Sequence, residues 1–355
     1  MNNYEILRRL IGFNTISDKE NSQILDYISE YLKTFGFHIE YKVNDDMKKC
    51  LIAKSKDKCE IAFLGHSDTV SYSDGWHSDP FSLTEKESKL YGLGVCDMKG
   101  GIAAFLESLK KIDVKNLNKG IMIIITFDEE IGFEGVKLIK DREDIPNIII
   151  IGEPTDNEII ISSKGCMEFE MIFKGKAVHS SHMVLGDNAI LKCMEFINEL
   201  NNFSNSLKND VNAVFETPFT TNNISIIEGG ECINKVPDMC KLLFDFRTVY
   251  ESHNDIILKK IEELSDKYNA TFRLITNLKP FSNNDKKTVQ LFENITNKRV
   301  NSANFVSEGN FFTDKNILII GPGPITAHEI DEHITVDSFN KSIEIYQKLI
   351  EYFCK

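Results

Sequence analysis

No stretch of the sequence concentrates lysine and arginine, and the formal charge is -13 with a pI near 5.2. A general nucleic-acid binder needs a basic face, so that class is excluded. No apolar run approaches the roughly 20 residues of a membrane-spanning helix, and no membrane partner is expected. The opening "MNNYEILRRLIGFNTISD" has no apolar core of signal-peptide length, which places the expected location in the cytoplasm. CxxC pairs are missing too: Cys50, Cys59, Cys96, Cys166, Cys193, Cys232, Cys240 and Cys354 are scattered, and they read as reduced, mostly buried thiols. Internal repeats and low-complexity tracts are absent.

What is present is ordinary globular material. At 355 residues and 42% hydrophobic content the chain can bury a substantial core, and its length suggests two or three domains. Ser17 and Glu20 in "SDKE" have capping-box spacing, followed by Ile24, Leu25, Ile28 and Leu32 at helical period until Gly36. The runs "IAFLG", "GIMIIITFDEE" and "NIIIIGEPT" are short and continuously apolar, with a helical "MKGGIAAFLESLKKI" between the first two. Strands apolar on both faces and alternating with helices predict an α/β domain with a mostly parallel sheet. From Lys164 the strands alternate instead, as in "GCMEFEMIFKGKAVHSS", "CKLLFDFRTVY" and "TFRLITNL", with helices "NAILKCMEFINEL" and "DIILKKIEELSDKYNA" between them. That order predicts an inserted α+β domain over residues 164–278, with 1–163 and 279–355 forming one outer domain. The polar "NNFSNSLKND" reads as a surface loop.

In open parallel sheets, ligands bind beyond the carboxyl ends of the strands. The apolar runs all end there in acidic residues or histidine: His66, Glu129 and Glu130, Glu153, and His328 after "NILIIGPGP", while Asp97 lies in "GLGVCDMKGG". Each alone has a bland explanation as a solvated or hydrogen-bonded side chain. Together, so many acidic groups would raise one another's pKa values unless a cation neutralised them. Histidine and carboxylate donors without cysteine favour two divalent ions, zinc first, with cobalt or manganese as substitutes. Neither "GLG" nor "GPGP" continues into a phosphate-binding fingerprint, so both read as tight turns feeding ligands.

The ordered blocks "GHSDTV", "GLGVCDMKGG", "TFDEE", "GEPT", "AVHSS" and "AHEIDEH" resemble the M20 metallopeptidase family over nearly the whole chain. The resemblance implies a zinc-peptidase catalytic domain carrying an inserted ferredoxin-like lid that also dimerises. It implies that His66 and Glu153 hold one metal, Glu130 and His328 the other, and Asp97 bridges them. Asp68 would orient the His66 ring, and Glu129 would be the general base and acid in hydrolysis of an amide by metal-activated water. His179 in "AVHSS" would complete oxyanion stabilisation, supplied across a homodimer in dimeric relatives; His182 falls outside the motif. Arg247 in "FDFRTV" and Asn234 in "ECINKVPD" would meet the substrate, although a surface salt bridge explains Arg247 almost as well. Glu308 and Gly309 in "SEGNFF" would line the substrate pocket.

Within the family, "ISSKGCMEFEMIFKGKAVHSS" and "IIGPGPITAHEIDEH" look like the acetylornithine deacetylase branch, so the expected substrate is an N-acyl amino acid, foremost N-acetylornithine. Ile330 and His333 depart from that branch, where proline and an aromatic residue are usual. Succinyl-diaminopimelate desuccinylase, a dipeptidase or carboxypeptidase, and an inactive scaffold that binds metal or amino acid remain as alternatives.

Overall fold

The computed structural model describes residues 4–283 and 285–355, and these divide into two compact units. The first comprises Met1–Ile161, Asn283–Asn301 and Ser307–Lys355; the second comprises Ser162–Ser282 with Ser302–Val306.

The first unit is built on one sheet. Its strands run in the order His38–Val43, Lys49–Lys54, Gly120–Thr126, Cys59–His66, Ile148–Ile151, Asn316–Ile319 and Ile159–Ser163. The four middle strands are parallel, and the flanking pairs are antiparallel. Isoleucine fills the middle because both faces are covered: Ile121, Ile123, Ile124, Ile125, Ile149, Ile150 and Ile151 are buried. Helices Lys99–Leu109 and Val336–Cys354 are packed on Phe63, whose ring stacks on Phe105 at 4.1 Å and meets Tyr346 edge-on at 5.8 Å. Parallel strands end at one edge, so His66, the Glu129–Glu130 pair and Glu153 all emerge there.

Helix Lys99–Leu109 sits unusually close to the sheet. A Cβ on Gly101 would lie 1.9 Å from the Gly152 carbonyl oxygen, and one on Gly100 would lie 2.1 Å from the Val95 carbonyl oxygen. The glycine pair of "MKGG" therefore permits backbone contact, and it lets Asp97, just before the helix, approach the strand end that carries Glu153.

The second unit is a four-stranded antiparallel sheet in the order Thr221–Gly229, Met239–Thr248, Gly165–Lys174 and Ala270–Leu278. Helices Ala189–Leu207 and Glu251–Lys267 bury Phe196, Leu200, Ile257 and Ile261 against Phe169, Phe173, Phe244 and Phe246. The edge strand Thr221–Gly229 was not expected, because most of its residues are exposed and it lacks the apolar alternation of its neighbours. The "NNFSNSL" stretch is not a loop but the end of the first helix: Leu200, Ser204 and Leu207 keep its buried stripe, and the Ser204 hydroxyl donates to Asn222 Oδ1 at 2.6 Å. Residues 302–306 join this unit through Lys164 N–H, which donates to the Ala303 carbonyl at 3.1 Å.

Candidate metal centre

His66 closes its strand, fully buried, and its ring is held from both sides. Nδ1 lies 3.0 Å from the Asp68 carbonyl oxygen and 3.4 Å from Asp68 Oδ1, while Nε2 lies 3.2 Å from Asp97 Oδ1 and 3.8 Å from Glu153 Oε1. His328, in a left-handed turn with φ 65°, brings Nε2 to 3.5 Å from Asp97 Oδ2 and 3.2 Å from Glu130 Oε2. Each oxygen of Asp97 thus faces a different histidine, and each of those histidines also approaches a glutamate, Glu153 for His66 and Glu130 for His328. Ligand atoms of His66, Asp97 and Glu130 lie within 4.8 Å of one another, close enough for one cation to be shared.

The electrostatics express the crowding of carboxylates. Burial pushes Glu129 well above the usual carboxylate range, and the charges of Asp97 and Glu130 add to it against the pull of His66. Glu153 is raised well above that range in the same way, by burial and then by Asp97. Asp97 itself is held low, because its bonds to His328 and His66 outweigh burial. Burial pulls His66 down, but Asp68 and Asp97 more than reverse it, and Asp97 with Glu130 lifts His328 to about 10. A divalent cation bound among these groups would relieve the same repulsion. Two imidazole and three carboxylate donors with no thiolate fit zinc or a similar ion, with Asp97 facing both halves.

Asp68 ties this centre to the loop bearing Glu129 and Glu130. Its Oδ1 accepts from Glu129 N–H at 3.2 Å and its Oδ2 from Glu130 N–H at 3.3 Å, besides facing His66. The two glutamates occupy a single helical turn, Glu129–Gly132, and not an extended strand end. Their side chains diverge because successive helical residues are rotated by roughly 100°. Ser17, read from the sequence as a helix cap, has another partner: its hydroxyl donates to Asp68 Oδ2 at 2.9 Å, and the helix begins at Ser22.

Glu332 was not anticipated. Its Oε1 accepts from Cys96 N–H at 2.7 Å and Asp97 N–H at 3.0 Å, and its Oε2 accepts from Gly94 N–H at 2.7 Å, so one carboxylate shapes the loop that presents Asp97. The only sequence signal was a third acidic residue in "HEIDEH". Cys96 has the expected packing role; burial pushes its thiol up, and Sγ donates to the Pro324 carbonyl at 3.4 Å.

Glu308 and Gly309, expected to line the substrate pocket, are both buried. Ser307 and Asn310 form a capping box that closes the turn Glu308–Phe311 and directs Glu308 inward. Burial pushes the group up to about 7, against a smaller opposing pull from the Thr126 side chain and the His66 charge.

In the second unit, His179 and Asn234 are neighbours. Ser180 N–H donates to the Asn234 carbonyl at 2.9 Å, and both side chains are exposed; His179 Nδ1 meets the Ser181 hydroxyl at 2.8 Å. Arg247 is half-exposed and pairs with Asp245 at 3.1 Å. It sits beside Cys166 at one end of the sheet, whereas His179 follows Lys174 at the other. At roughly 3.3 Å per residue the two ends are about 25 Å apart.

Residues 62–352 match the family described as peptidase family M20/M25/M40, and the chain belongs to that family as a metallohydrolase. Acetylornithine deacetylase of Photorhabdus laumondii is 31% identical over 372 residues, spanning 99% of this chain and 97% of that protein. The acetylornithine deacetylase of Buchnera aphidicola subsp. Schizaphis graminum is 32% identical over 375 residues, with the same coverage of 99% and 97%. Among solved structures, the aminopeptidase PepT of Bacillus cereus superposes with a TM-score of 0.81 at 20% identity, covering 99% of each chain. An M20 family metallo-carboxypeptidase, Sso-CP2 of Sulfolobus solfataricus, gives 0.79 at 17% identity, again over 99% of each chain. At such identities these two likenesses speak for the fold.

Proposed function

We propose that the protein hydrolyses the amide bond of an N-acyl amino acid, with N-acetylornithine as the foremost substrate. The observation that carries this reading is Asp97, with Oδ1 turned to His66 and Oδ2 turned to His328, while His66 also approaches Glu153 and His328 approaches Glu130. His66 and Glu153 would hold one divalent ion, Glu130 and His328 a second, with Asp97 common to both. Bound there, such ions lower the pKa of water and polarise an amide carbonyl. Glu129 serves as the base, buried beside the ligand positions with its backbone N–H held by Asp68, and it would take a proton from water and hand it to the leaving amine. Asp68 fixes the tautomer and direction of His66 and positions the Glu129 backbone.

His179 supplies the oxyanion donor, Asn234 supports it, and Arg247 receives the substrate carboxylate through its planar guanidinium. One N-acyl amino acid is far shorter than the roughly 25 Å of paired strand that separates the Arg247 end of the sheet from the His179 end. A single substrate therefore meets both groups only when a second copy supplies one of them, which favours a homodimer through the inserted unit. Val184 and Ile233 in that unit are 89% and 100% exposed, apolar surface that a partner copy would cover.

The choice of N-acetylornithine rests on full-length relatives named acetylornithine deacetylase. It is tested by a hydrolysis panel with zinc or cobalt, and with chelator as control: N-acetylornithine, N-acetylcitrulline, N-succinyl-diaminopimelate and simple dipeptides. The expected order has N-acetylornithine first in kcat/KM. A succinyl substrate or a dipeptide in first place replaces the substrate and keeps the chemistry; a metal-loaded protein that cleaves none of them is a scaffold.

A further inference from the structure

Lys48 has no part in the proposed chemistry, yet it stands behind the turn that carries Glu129 and Glu130. It lies between strands His38–Val43 and Lys49–Lys54, with only 12% of its side chain exposed. Its ammonium meets Asp128 Oδ1 at 2.5 Å and also donates to the Ser17 carbonyl oxygen. Asp128 is 8% exposed and is the residue immediately before Glu129. The Ser17 hydroxyl in turn reaches Asp68, which receives the N–H groups of both glutamates.

The turn needs such external support. Glu129–Gly132 is a single helical turn, flanked by Asp128 at φ 54° and Phe133 at φ 62°. Both flanking residues are left-handed, a conformation disfavoured for residues other than glycine and least so for aspartate and asparagine. Four residues are too few for helix propensity to hold them in place. Their position is fixed by what grips the N-terminal end: Asp68 on two N–H groups, and Lys48 on the preceding side chain. A buried ammonium with one carboxylate and one carbonyl is also directional, so it sets distance as well as charge.

We propose that Lys48 is a positioning residue for Glu129, a clamp that binds Asp128 and the Ser17 loop together so that the Glu129–Gly132 turn is preorganised over the metal centre. The role of Glu129 as base comes from the function proposed above; the clamp itself comes from the hydrogen bonds. Losing it lets the turn move without displacing His66, Asp97 or Glu153, which other elements hold. Misplacing a catalytic group by about 1 Å can reduce turnover by about a hundredfold while leaving substrate affinity largely intact.

The test compares Lys48→Met, Lys48→Arg and a control, Lys54→Met, which removes the same charge from the neighbouring strand where Lys54 pairs with Asp144. Hydrogen exchange on the metal-free protein reads the turn directly. In Lys48→Met the peptide covering 127–135 should exchange about tenfold faster or more, with 148–151 unchanged. With zinc bound and N-acetylornithine as substrate, kcat should fall about tenfold or more with KM within about threefold, Lys48→Arg should recover most of both effects, and Lys54→Met should match the parent. Unchanged exchange at 127–135 overturns the clamp, as does faster exchange spread equally to 148–151 or a loss that arginine does not rescue. If the parent protein cleaves none of the panel, the proposed function fails while the exchange result still decides the clamp.

Discussion

A buried glutamate whose charge is poorly compensated is a cost that changes with pH, and Glu308 makes that cost measurable. Its folded pKa is pushed up to about 7 by burial, against an ordinary value of 4.5. Between those two values the folded chain holds a proton that the unfolded chain has released, so stability falls as pH rises through this window. Below about 4.5 the penalty is absent, and above about 7 it is complete. Glu308→Gln keeps the shape and removes the ionisation. In chelator-treated protein, the variant's gain over the parent should be near zero at pH 4.5 and grow to the order of 3 kcal/mol by pH 8. Urea unfolding of both proteins at the two pH values checks it; an equal difference at both would show that Glu308 ionises as easily inside as in water. In the sequence, "SEG" shows that a turn exists, but only the capping box of Ser307 and Asn310 shows which way its glutamate points.

Helix Lys99–Leu109 and the strand end at Gly152 form one mechanical piece. Gly101 has helical neighbours on both sides, so propensity alone would predict that alanine stabilises it by up to about 1 kcal/mol. Contact predicts the opposite, because the new methyl would fall 1.9 Å from the Gly152 carbonyl oxygen, in backbone that cannot rotate away. Gly101→Ala should lower stability by about 1–3 kcal/mol and, by shifting Gly152, move Glu153 from the centre and weaken zinc retention. Denaturant midpoints and zinc content after dialysis measure both; a more stable variant with full zinc would mean that the helix is free to move. At this scale the sequence was informative for a physical reason. Parallel strands buried on both faces are continuous apolar runs, and their ends stand out where polarity returns, so His66, Glu130, Glu153 and His328 could be picked out together. What stayed hidden acts across long sequence distances: Glu332 accepts backbone N–H groups some 236 residues away, and Ser17 and Lys48 reach Asp68 and Asp128 through loops. Such partners have no local pattern. The exposed edge strand Thr221–Gly229 escaped because it has no buried face to write an alternation.

For the whole molecule the question is how many copies make one active site. Arg247 and His179 belong to opposite ends of the inserted sheet, and the strand pairing from Thr248↔Gly165 to Met239↔Lys174, about 25 Å long, leaves no slack to bring those ends together. If a second copy supplies His179, two separately inactive variants must complement. Glu129→Gln lacks the base but retains His179; His179→Ala lacks the donor but retains Glu129. Each alone should lose about a hundredfold or more in kcat. When the two are mixed and allowed to exchange subunits, about half of the dimers are hybrids, and each hybrid has one site with both groups and one with neither. Activity should then recover to about a quarter of the parent's. If His179 serves its own chain, every site in the hybrid lacks one group and the mixture stays as inactive as its components. Sedimentation of the same mixture confirms that hybrids can form, so a failure to complement then argues against a shared site and not against exchange.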